Sequence, residues 1–121
     1  MRTLGLIVLL AGALALPVAA RLHLTLVDSS PREDAVLAEP PREIVLKFNE
    51  SLDPERRAVS LRGPAGPVAM GPVRSVADTL AFAANINATL APGTYTVSWL
   101  AASPNDPTIR GRYSFSVARP K

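Results

Sequence analysis

The 121-residue chain has a single histidine, His23, and this side chain has the widest coordination chemistry in the sequence. It follows Arg21 and Leu22, which in turn follow the small residues Val18-Ala19-Ala20. Small residues in that place mark an export cleavage site, so a cut after Ala20 makes Arg21-Leu22-His23 the new terminus. A third-position histidine then offers the terminal amine of Arg21, two backbone nitrogens that can be deprotonated, and its own imidazole. Such a set encloses Cu(II) or Ni(II) in a square plane. Alternation with Leu22, Leu24 and Leu26 places His23 on the solvent side of an edge strand, where a histidine also occurs with no ligand at all.

Other chemistry finds less support. Glu33-Asp34 and Asp53-Pro54-Glu55 pair carboxylates, but both lie in polar turns whose adjacent side chains diverge. No glycine-flanked serine of the nucleophile-elbow type accompanies His23 and an aspartate, so no enzymatic activity is expected. Cysteine is absent, which removes thiol catalysis and thiolate metal sites. Met70 stands alone in a Gly-Pro segment and offers no thioether cluster for a soft ion.

The elements that must position His23 are strands. Residues 1–20 read as a signal peptide: Arg2, an apolar run from Leu4 to Leu16, and the small-residue exit. Residues 21–121 then form one domain, since about 100 residues suffice for one core. In "EIVLKFNE", Ile44, Leu46 and Phe48 share a face opposite Glu43, Lys47 and Asn49. "TYTVSWLA" places Tyr95, Val97 and Trp99 inward, with Trp99 in the core, and "RYSFSV" does the same for Tyr113, Phe115 and Val117. Shorter strands are expected at 22–27, 58–62 and 79–82.

Twelve prolines and seven glycines punctuate these runs, and no helix is expected after the signal peptide. About seven short antiparallel strands with regular turn signals predict an all-β, immunoglobulin-like Greek-key sandwich. "LAPGTYTVSW" supports it, because a tyrosine entering a strand just after a Pro-Gly corner suits the tyrosine corner of such folds. The charge is modest, with 13 Lys and Arg against 10 Asp and Glu and a formal net of +3. No basic stripe with interleaved aromatics is present, so nucleic acid is not expected as a partner. The pair Arg56-Arg57 reads as a solvated turn.

The stretches "HLTLVDSSPREDAVLAEPPREIVLKFNESLDP" and "LAPGTYTVSWLAASPNDPTIRGRYSFSV" resemble the CopC family of periplasmic copper-binding proteins. The shared elements are a histidine, Ser-x-Pro, a Pro-rich turn, an "L-x-F-x-E" strand, an "L-x-P-G-x-Y-x-V-x-W" strand and a closing "S-F-x-V" strand. The resemblance implies an immunoglobulin-like sandwich, copper as cofactor, a periplasmic or secreted location, and an inner-membrane copper transporter as a partner. It further implies Cu(II) bound by a terminal histidine, together with an Asp and a second His from an "S-A-D-x-H-P-V-x-G" loop.

Laid on "SPNDPTIRG" without gaps, that loop begins at Ser103 and ends at Gly111, with Asn105 at the Asp position and Pro107 at the His position. A neutral amide is a poor donor to Cu(II), and proline has no free donor, so the site is degenerate there. Asp106 is the nearest substitute ligand, although strict alternation turns it away. The expected metal set is therefore His23, the Arg21 amine and Asp106, in a protein of copper homeostasis or resistance. The alternative is a metal-free sandwich that acts as an interaction module for a membrane copper transporter or another envelope protein.

Overall fold

The computed structural model describes residues 23–121, so the expected signal peptide (residues 1–20), Arg21 and Leu22 lie outside the described residues. Among the described residues nine strands form: β1 (Leu26–Ser30), β2 (Val36–Leu37), β3 (Glu43–Phe48), β4 (Ala58–Gly63), β5 (Gly66–Val68), β6 (Arg74–Val76), β7 (Ala81–Asn85), β8 (Gly93–Ser103) and β9 (Asp106–Val117). They make two layers, one ordered β1-β3-β7-β6 and the other β2-β9-β8-β4-β5. This is the all-β sandwich read from the sequence. The pairing is antiparallel except between β2 and β9, which run parallel through Val36 opposite Ser116 and Leu37 opposite Val117.

The long β8–β9 ribbon is the backbone of the larger sheet, in register from Gly93 opposite Val117 to Ser103 opposite Asp106. Period-two alternation sends one side of each strand into the space between the layers. From β3 come Ile44, Leu46 and Phe48, from β7 Phe82, from β4 Leu61, and from β8 and β9 Tyr95, Val97, Tyr113, Phe115 and Val117, all buried. Phe48 lies parallel to Phe82 with ring centroids 6.0 Å apart, and Tyr95 stacks on Phe115 at 5.7 Å. Two phenols leave this apolar layer to find acceptors, as buried hydroxyls must. Tyr95 Oη donates to the Ala91 carbonyl at 2.7 Å, the tyrosine corner, and Tyr113 Oη donates to the Pro31 carbonyl at 2.7 Å, tying β9 to the end of β1.

Several boundaries depart from the sequence reading. Among the described residues the first strand starts at Leu26, with residues 23–25 outside it, and β7 starts at Ala81, because Ala77, Asp78 and Thr79 all take positive φ (53°, 54° and 70°) and form the turn after β6. The strands β5 and β6 were not expected. Gly66 and Pro67 hide β5, where proline is tolerated because the strand is an edge, and all three residues of β6 are exposed. Arg56-Arg57 is no free pair in solvent. Arg56 Nε meets Asp53 Oδ2 at 2.9 Å, while Arg57 is half-buried, donates to Ser75 Oγ and lies 5.9 Å from the Phe82 ring centroid.

Trp99 is half-buried at the rim of the core, with its ring edge-on to Phe48 at 5.2 Å and 74°. It lies across Gly111, its register partner, so closely that a Cβ on Gly111 would stand 2.4 Å from Trp99 Cζ2. The indole takes the place of a side chain there. Gly111→Ala is therefore expected to push the indole off Phe48 and to cost about 1–3 kcal/mol of stability by urea unfolding. A neutral substitution would show that the indole has free space beside it.

Candidate metal centre

Three segments meet at one end of the sandwich: the lead-in to β1 (residues 23–25), the residues just past β3 (49–50) and the turn between β8 and β9 (103–106). The first two are joined by Asn49, which prolongs the β1–β3 ladder with its side chain. Its backbone N–H donates to the Thr25 carbonyl at 3.1 Å, its Oδ1 accepts the Thr25 N–H at 2.8 Å, and its Nδ2 donates to the His23 carbonyl at 2.9 Å. Asparagine suits this task because one amide carries both donor and acceptor. The result is that the His23 main chain is held at the mouth of the sandwich while the residue itself stays exposed.

The third segment is anchored from below. The Asp53 N–H donates to the Ala102 carbonyl at 2.8 Å, and Arg56 Nη2 donates to the Ser103 carbonyl at 3.2 Å. Asp53 also accepts the Glu55 N–H at 2.9 Å, and this bond, with the Arg56 guanidinium second, holds its carboxyl below the ordinary value of 3.8. Among the described residues Ser103 is the one buried polar side chain apart from the tyrosines, and its hydroxyl donates to Asp106 Oδ2 at 3.4 Å.

Between the segments sits Glu50, a half-buried residue whose Oε2 is sealed from solvent without a hydrogen-bond partner. Its carboxyl titrates above the ordinary value of 4.5, first through lost hydration and then through the neighbouring Asp106 carboxyl; Ser103 and the charge of His23 act in the opposite sense. Two carboxylates facing one another beside a histidine make an anionic mouth that favours a cation. Among the described residues, however, no three of His, Asp and Glu draw close enough together to enclose a metal ion. His23, Glu50 and Asp106 are neighbours here and not a closed ligand shell.

The site residues read from the sequence fall unevenly on this geometry. Asp106 faces Ser103 and the Glu50 side, because the register shifts between Ala101 and Ser103 and interrupts the alternation that was expected to turn it away. Asn105 is exposed on the turn, and Pro107 is exposed at the start of β9. Arg21 lies outside the described residues. Glu50 was not singled out, although it is the closing residue of the "L-x-F-x-E" strand, and that spacing was the available signal. Met70 packs against the core and bridges to Ile86.

Comparison with known proteins agrees with this architecture. Residues 26–118 match the model of the CopC domain. Among solved structures, the chain is similar to PcoC, a methionine-rich copper resistance protein from Escherichia coli, at 32% identity and a TM-score of 0.70, covering 78% of this chain and 98% of that one. It is also similar to CopC from Methylosinus trichosporium OB3b, at 28% identity and a TM-score of 0.71, covering 79% and 94%. No curated protein matches the chain. With the family model spanning most of its length and the same sandwich in both relatives, the chain belongs to the CopC family.

Proposed function

We propose that this protein is an exported, periplasmic or secreted Cu(II)-binding protein of copper homeostasis or resistance, with the metal held by the N-terminal segment around His23. The observation that carries the reading is the Asn49 clamp, which fixes the His23 main chain beside the paired carboxylates of Glu50 and Asp106. Cu(II) prefers nitrogen and oxygen donors in a tetragonal arrangement. His23 and, after cleavage at Ala20, the Arg21 amine supply the nitrogen, and Asp106 and Glu50 supply a negative wall. The soft ion Cu(I) is not the expected cargo: PcoC is methionine-rich, whereas this chain has two methionines, one in the signal segment and one packed against the core. Binding and transfer, not catalysis, are the work such a site can do.

Asn105 and Pro107 at the loop favour a second reading, in which the sandwich has lost the metal and serves as an interaction module for an inner-membrane copper transporter. A Cu(II) titration of the exported, signal-cleaved protein, followed by electron paramagnetic resonance, separates the two. The expected result is one equivalent bound with a nitrogen-rich square-planar spectrum, lost in His23→Ala. Affinity unchanged by His23→Ala sinks the His23 site, and no stoichiometric binding by the parent protein favours the interaction module.

A further inference from the structure

The outward face of the larger sheet carries charge of one sign. Read across the strands, Ala58, Leu100 and Arg110 form one row, Ser60, Ser98 and Arg112 the next, and Arg62, Thr96 and Ser114 a third. No carboxylate occupies any of these positions. The hydroxyls of Thr96 and Ser114 stand 3.2 Å apart, and those of Thr94 and Ser116, one row further, 3.1 Å. Where the side chains are small, the face sinks into a trough of about 550 Å³ lined by Ala58, Ser60, Ser98, Leu100, Arg110 and Arg112.

Among the described residues, most of the arginines away from this face are engaged, Arg42 and Arg119 excepted. Arg32, Arg56 and Arg74 are paired with Asp28, Asp53 and Glu43, and Arg57 is hydrogen-bonded to Ser75. Arg62, Arg110 and Arg112 are exposed and, among the described residues, form no ion pair. The formal net charge of the whole chain is only +3, so the polarity of this face is local and does not follow from a basic composition. A guanidinium fork matches a carboxylate in two parallel hydrogen bonds, and serine hydroxyls beside it can donate to the same oxygens.

We propose that this trough is a docking surface for an extended, carboxylate-rich segment of a partner protein. A lipid surface fits less well, because the larger apolar residues lining the trough, Val59, Trp99 and Leu100, are all half-buried, so none projects to enter a bilayer. The docking does not depend on bound copper. Leu100 and Arg110 are close in sequence to the Ser103–Asp106 turn, so a partner seated there also lies alongside the mouth that holds His23.

Amide shifts of the isotope-labelled, copper-free protein during titration with a synthetic Glu-Ser repeat peptide test this directly. Saturable shifts at Ser60, Ser98, Leu100 and Arg112 are expected, with none from a Lys-Ser repeat. Arg110→Gln with Arg112→Gln should weaken binding about tenfold, while Arg42→Gln with Arg119→Gln, which removes the same charge elsewhere, should leave it unchanged. Shifts spread over the whole surface, or equal loss in both double variants, would reduce the effect to net charge and overturn the proposal. So would binding through this face to phosphatidylglycerol-containing vesicles in the absence of any response to the acidic peptide.

Discussion

Phe48→Ala is expected to remove about 3–5 kcal/mol of stability, a large share of the roughly 5–15 kcal/mol that a domain of this size has. Phe48 is 1% exposed and touches both other large rings at this end, lying parallel to Phe82 and edge-on to Trp99. Truncation leaves a cavity where β3, β7 and β8 meet, and the two remaining rigid rings, Phe82 and Trp99, cannot collapse into it as flexible aliphatic chains can. The Phe48 N–H donates to the Leu80 carbonyl at 2.8 Å, a main-chain bond that alanine keeps and that holds β3 in line as it approaches the mouth. Asn49 and Glu50 follow immediately, so the substitution should also loosen the clamp on His23. Thermal unfolding should move down by about 15 °C or more, against almost no change for Val27→Ala, where the side chain is exposed. A loss below about 1 kcal/mol would mean that the rings are not packed as described.

The strands that make this core were the most legible part of the sequence, for a physical reason. In β3, β8 and β9 every second residue is large and apolar, and burial between two layers imposes that period regardless of what the neighbouring strands contain. The tyrosine corner was legible too, because its hydrogen bond is local, from Tyr95 back to Ala91. The short strands were not. β2 has two residues, β5 contains a proline, and β6 has no inward-facing apolar residue of its own, so each exists only because a longer strand offers it a ladder.

At the site, the division follows sequence distance. His23 announced itself as the only histidine, and the missing donors at Asn105 and Pro107 could be read directly. What Glu50 faces, and which way Asp106 points, depend on the β8–β9 turn folding back onto the end of β3 and on a register shift within that turn. The role of Asn49 depends likewise on the pairing of β1 with β3. A single sequence holds the residues of such long-range contacts without showing that they meet.

Glu50→Gln should separate what this carboxylate does for the metal from what it does to the fold. In the copper-free protein its ionised form is disfavoured, since one oxygen is sealed without a partner and Asp106 faces it. A carboxyl whose folded value lies above its ordinary 4.5 binds its proton more tightly in the native state, so its contribution to stability is present at low pH and is lost as pH rises through the elevated value. Glutamine keeps the shape and never ionises. The variant should therefore be more stable than the parent at neutral pH, and its stability should fall less as pH rises above 4.5. The acid side should be unchanged, because Asp53 has a lowered carboxyl value and loses its contribution only as pH falls through that value, below 3.8. With Cu(II) the sign reverses. The same negative charge that is unfavourable without a cation attracts one, so Glu50→Gln should weaken Cu(II) binding by about 10–100-fold, the usual effect of removing a group that supports metal ligands. Chemical denaturation between acid and neutral pH, paired with a competitive Cu(II) titration, reads both effects on one protein. Greater stability with unchanged copper affinity would confine the metal to the terminus around His23; loss of both would make Glu50 a structural residue whose Oε2 accepts a hydrogen bond in solution.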